Sequence, residues 1–90
     1  MSTKIVEGIT PSQCRAGRAL LEITQTQLAK AAGLGLSTVV DFEKRRRKVS
    51  VDAIQSISQT LADAGVEFID ENGGGPGVRL QKRQRPKKLK

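Results

Sequence analysis

Residues 24–44, TQTQLAKAAGLGLSTVVDFEK, contain two short amphipathic stretches with only Gly33, Leu34 and Gly35 between them. Thr24 and Gln27 form a capping box: the threonine hydroxyl satisfies a free helix amide, and the glutamine three residues on reaches back to the cap. The helix started there carries Leu28, Ala29 and Ala32 on its inner face and ends at Gly33, which tolerates a left-handed backbone. Leu34 is expected to plug the core at the turn. In LSTVVDFEK, Val39 and Phe42 stand three apart and face inward, which sends Leu36, Ser37, Val40, Asp41 and Lys44 outward. A solvated helix normally presents Glu, Lys and Gln. This outward face is small, apolar and mixed, and so suits close approach to another surface.

The same cap recurs at Thr10, Pro11 and Gln13, which predicts a first helix to about Leu21 with Ala16, Ala19, Leu20 and the following Ile23 inside. Ser50 caps a fourth helix, VDAIQSISQTLADAG, with Val51, Ile54, Ile57 and Leu61 inside and Gly65 as its stop. VEFID and VRLQ then alternate like strands, joined by the glycine-rich ENGGGPG. That connection exceeds a usual hairpin loop, so pairing within the chain and pairing with a second chain both stay open. The expected fold is mainly α: four compact helices with a short C-terminal β-strand or hairpin extension. The domain plan is a flexible N-terminus over 1–9, the helical domain over 10–65, a β extension over 66–81 and a disordered basic tail over 82–90.

Composition restricts the function. The chain has 90 residues, enough for one small domain, with a net charge of +7 and a pI near 10.2. Such a balance points to a polyanionic partner. Six lysines or arginines and no acid lie in 82–90, so most of the excess sits in that tail. Histidine is absent, and with it the commonest general base and transition-metal ligand. Cys14, the single cysteine, makes neither a disulfide nor a thiolate metal site alone and reads as a small helix residue. ENGGGPG lacks the lysine and following helix of a phosphate loop. No enzyme, metal or cofactor is expected. No apolar run approaches the ~18 residues of a membrane span, and MSTKIVEGITP lacks a signal-peptide core. A cytoplasmic protein without membrane contact is therefore expected.

The stretch from Thr10 to about Gly65 resembles the lambda-repressor-like helix-turn-helix domain of phage-repressor-type regulators, the Cro/C1 or XRE family. The resemblance rests on Gln25 opening the second helix, LA at 28 and 29, Gly33 in the turn, Val39 and Phe42 in the next helix, and Glu43 after them. The ending GVEFIDENGGGPGVRL is similar to one on small bacterial members.

This resemblance implies a partner and roles. The third helix would enter the major groove of double-stranded DNA, with Leu36, Ser37, Val40, Asp41 and Lys44 meeting base edges. Leu36 and Val40 suit thymine methyls, Ser37 either type of edge, and Asp41 the cytosine amine, unless Asp41 pairs with Lys44 instead. Gln25, Thr26 and Thr38 would hold phosphates, and so would Arg45, Arg46, Arg47 and Lys48 in a basic corner. Arg18 and Glu43 match a family salt bridge that fixes the recognition helix. Val66, Phe68, Val78 and Leu80 lack cover and would build a homodimer reading two half-sites. The implied function is transcriptional regulation, as an autoregulatory repressor, a controller or an antitoxin, with a regulatory protein partner among the ways to control it. From another class, an RNA-binding or protein-bridging module using the tail is disfavoured, because both phenylalanines stand at inner positions. Family members usually carry glycine near positions 22 and 45. Glu22 and Arg45 stand there instead, so either helix is expected to run longer.

Overall fold

In the computed structural model, which describes residues 8–71 and 73–81, four helices and a hairpin follow in chain order: α1 (Pro11–Leu21), α2 (Gln25–Ala32), α3 (Leu36–Lys44), α4 (Val51–Asp63), β1 (Val66–Ile69) and β2 (Gly77–Leu80). The architecture is the four-helix domain with a short β extension that the residue pattern predicts. Both capping boxes form. Thr10 and Thr24 Oγ1 accept from the Gln13 and Gln27 amides at 3.0 Å, while the glutamine Oε1 atoms accept from the threonine amides at 3.0 and 2.8 Å. Ser50 Oγ accepts from Ala53 N at 3.1 Å and starts α4.

Three helices end in the same motif. The chain leaves α1, α2 and α3 through left-handed residues Glu22 (φ 60°), Gly33 (φ 72°) and Arg45 (φ 57°). In each case that residue's amide and the next one return to carbonyls of the last turn: Glu22 and Ile23 to Ala19 and Arg18, Gly33 and Leu34 to Lys30 and Ala29, Arg45 and Arg46 to Phe42 and Asp41. The expected extension of α1 and α3 is thereby corrected. Both stop where a glycine would stop them, because Ile23 must turn inward and α4 must be reached. Glu22 and Arg45 accept a left-handed backbone that costs a residue with a Cβ about 1 kcal/mol.

The core joins Cys14, Leu28, Ala29, Val39, Phe42, Val49, Ala53, Ile54, Ile57, Leu61 and Val66, with Ile9 at its edge. Ile9 is 7% exposed, which corrects its assignment to a flexible N-terminus; residues 1–7 and the basic tail over 82–90 lie outside the described residues. The inner face of α1 is also corrected. Ala19 and Leu20 are exposed and Ala16 is half-buried, whereas Gln13, Cys14 and Gly17 are buried. Gly17 lets α1 approach closely: a Cβ there would meet Leu61 at 3.4 Å and Val66 at 3.5 Å. In α4, Val51 faces solvent and Ala53 takes the inner place. Leu34 packs half-buried on the core, as its position in the turn requires.

β1 and β2 pair antiparallel within the chain, with Val66 opposite Leu80 and Phe68 opposite Val78. Those four residues share one face of the ribbon. Gln13 fastens its far end, donating from Nε2 to Gly77 O at 2.9 Å and Ile69 O at 3.3 Å. No helix among the described residues is long and apolar enough to cross a membrane.

Candidate nucleic-acid interface

α3 has two faces of opposite character. Val39, Phe42 and Glu43 are buried, while Leu36 is 45% exposed and Ser37 and Lys44 are open to solvent. Thr38, Val40 and Asp41 are half-buried. Leu36, Ser37, Val40, Asp41 and Lys44 follow the i, i+1, i+4 rhythm of one helical face. The start of α3 is capped only by Gly35, which supplies no side-chain acceptor for the first-turn amides.

A buried carboxylate sets the direction of that face. The Glu43 side chain is 1% exposed. Arg18 on α1 grips it with both arms, Nε to Oε2 at 2.7 Å and Nη2 to Oε1 at 2.7 Å. The Cys14 thiol donates to Oε2 at 3.0 Å and the Gln25 amide to Oε1 at 2.9 Å. Arg15 adds a bond to the Glu43 backbone carbonyl, and Arg18 Nη1 reaches Ile23 O at 3.3 Å. One carboxylate thus gathers α1, α2 and α3. Burial alone would push the Glu43 carboxyl up; the bonds from Arg18, Cys14 and Gln25, with the Arg18 charge, outweigh it and hold the group below the ordinary carboxylate range. Burial first, then the bond to Glu43, pushes the Cys14 thiol far above the usual thiol range, so Cys14 is a donor and not a nucleophile.

The Arg18–Glu43 pair forms as the family resemblance implies. The roles of Cys14 and Gln25 were not legible in the sequence. Gln25, assigned to phosphate, turns its side-chain amide inward, because a dehydrated carboxylate needs donors for its remaining lone pairs. Thr26, beside it on the first turn of α2, is exposed.

Beyond α3, Arg45, Arg46, Arg47 and Lys48 are all exposed and continue from Lys44 as one basic corner. Asp41 holds this corner from inside. Its backbone oxygen accepts from Arg46 N at 3.0 Å, and its carboxylate takes Arg47 Nε at 2.7 Å with Arg46 Nη1 at 4.0 Å. The alternative of an Asp41–Lys44 pair is replaced by these arginines, since the left-handed turn at Arg45 brings the chain back across the helix end.

Of the residues assigned to a dimer contact, Val66 is 1% exposed and lies in the chain's own core, which corrects its expected lack of cover; Phe68 and Val78 are half-buried against that core. Leu80 is 47% exposed, and Ile69, on the opposite face, is 37% exposed. The outer pair Glu67–Arg79, at 3.0 Å, crosses the ribbon at the surface.

A family model described as helix-turn-helix matches residues 15–62, from the first helix to the end of α4. Comparison with curated proteins gives no match. The matched span contains the α2–turn–α3 unit, the Arg18–Glu43 tie and the outward face of α3. The chain belongs to the Cro/C1-type (XRE) helix-turn-helix family of DNA-binding regulators.

Proposed function

We propose that the chain is a homodimeric transcriptional regulator, a repressor of its own or a neighbouring promoter, that binds operator half-sites with α3 in the major groove. The observation that carries this reading is the division of α3: its inner residues are locked into the core and the Glu43 network, while Leu36 and Ser37 stand exposed beside an exposed basic corner. Leu36 and Val40 suit thymine methyls, Ser37 a polar base edge, and Lys44 a guanine edge or a phosphate. Thr26, Thr38 and the cations of 45–48 supply backbone contacts, with Gln25 contributing through its helix-start amide.

One helix reads few base pairs, so useful selectivity needs two copies about one helical turn of DNA apart. The exposed Leu80, with the half-buried Phe68 and Val78 beside it, supports a two-fold contact through the hairpin. The protein works inside the cell, where its target DNA lies. Control comes through its concentration, cooperative binding, a regulatory protein partner or degradation.

Footprinting the purified protein on the DNA upstream of its own gene tests the reading. Two protected half-sites overlapping the promoter are expected. No preference for that DNA over random duplex at moderate salt would overturn autoregulation, and a site upstream of the promoter with increased transcription would assign a controller.

A further inference from the structure

The acid on the outward face of α3 stands in a position of conflict. Asp41 carries a negative charge toward the side where a phosphate backbone would lie, yet its carboxylate is only 18% exposed and is occupied by arginines. Arg47 Nε lies 2.7 Å from Oδ2 and Arg46 Nη1 4.0 Å from Oδ1. Both arginines follow the left-handed turn at Arg45, on a segment without helix or strand, and their side chains are 52% and 60% exposed. A carboxylate offers guanidinium the same two-oxygen geometry that a phosphate does. Asp41 therefore competes with DNA for the same donors.

We propose that Asp41 is an affinity-tuning residue that acts without touching a base: it occupies Arg47 and Arg46 in the free protein and so weakens the hold of the basic corner on duplex of any sequence. This inference rests on the DNA-binding reading above. Non-specific binding is almost wholly phosphate neutralisation, so random duplex reads the withheld cations directly. A cognate complex that draws on the same arginines bears the same cost, because phosphate contacts carry no base identity. The strength of the effect is that of an exposed ion pair, about threefold for each bound protomer.

The test compares wild type with Asp41→Asn, Arg46→Ala/Arg47→Ala and the triple variant, each checked for folding by circular dichroism. The probes are a random-sequence 20-bp duplex and the duplex that wild type itself selects from a randomised library, titrated at several salt concentrations. Asp41→Asn keeps the shape of the side chain and removes its charge. It should bind random duplex about threefold more tightly per protomer, with a salt slope steeper by about 0.9 per protomer, and should select the same base sequence as wild type. In the background without the two arginines, Asp41→Asn should leave the slope unchanged. A changed base preference at one position would make Asp41 a base reader and overturn the proposal, as would an unchanged slope or one that steepens equally without the arginines. Failure of wild type to select any duplex would instead overturn the DNA-binding reading, and this inference with it.

Discussion

α3 meets α1 through a carboxylate, whereas the hairpin meets α1 through apolar side chains and one amide. On the first side, Arg18, Cys14 and Gln25 all donate to Glu43, and the Arg18 fork specifies both distance and angle. On the second, Val66 lies near Gly17, a contact that is weakly directional, and the Gln13 amide ties the ribbon end to α1. Directional bonds fix the helix whose outward face we propose to read DNA. Undirected packing serves where an element only has to be held.

The largest effect should come from removing the apolar part of the α3 attachment. Phe42→Ala takes out a ring that is 7% exposed and should cost about 3–5 kcal/mol, measured by urea unfolding. A loss under about 1 kcal/mol would mean that the Glu43 network holds α3 unaided. Next, Glu43→Ala leaves Arg18 without its partner and should cost about 3 kcal/mol at neutral pH, with duplex binding falling further than stability explains. The contribution of this carboxylate depends on pH. Its value in the folded chain is depressed, so its stabilisation is fully present above the unfolded carboxylate value, about pH 4.3, and is lost as pH falls through the folded value. Between pH 7 and pH 3 wild type should therefore lose more stability than Glu43→Gln; equal acid losses would remove the network from the account.

On the hairpin side, Gln13→Ala removes an amide that serves Thr10, Ile69 and Gly77, and should cost about 2 kcal/mol. Hydrogen exchange should quicken at residues 66–69 more than in α2 and α3. Uniform acceleration would show that the two regions are one cooperative unit. The smallest effects concern the left-handed caps. Glu22→Gly and Arg45→Gly should each raise stability by about 1 kcal/mol in thermal or urea unfolding. Only Arg45→Gly should weaken duplex binding, because it alone removes a cation of the basic corner; equal binding by both would take Arg45 out of the interface.

The helix starts were legible because a capping box is local: Thr10 with Gln13 and Thr24 with Gln27 are separated by three residues and need no tertiary knowledge. The split of α3 was legible for a similar reason, since Val39 and Phe42 fix its phase. The inner face of α1 was not. Its buried positions are Pro11 at the first turn and then Gln13, Cys14 and Gly17, a polar, a small and a side-chain-free residue, so hydrophobic periodicity pointed to Ala19 and Leu20, which face solvent. Both surprises in the polar network share that origin: Cys14 and Gln25 reach Glu43 across 29 and 18 residues, through helix crossings that spacing along the chain does not encode. One signal was present. Gln13 is polar at a position whose neighbours in the helical rhythm are buried, and such a residue must find partners beyond its own turn.

The bonds from Gln13 clasp the ribbon on both sides of its connection, at Ile69 and at Gly77. The segment from Gly73 to Pro76 is exposed, and a Cβ on Gly73, Gly74 or Gly75 would touch nothing within 4 Å. That segment is consequently a tether and not a brace. A protease cut among the three glycines should leave both strands seated, and lengthening the tether should cost only about 0.6 kcal/mol for each doubling of its length. The segment offers a place to graft a fluorophore or an affinity tag without altering a residue of α3 or of the basic corner.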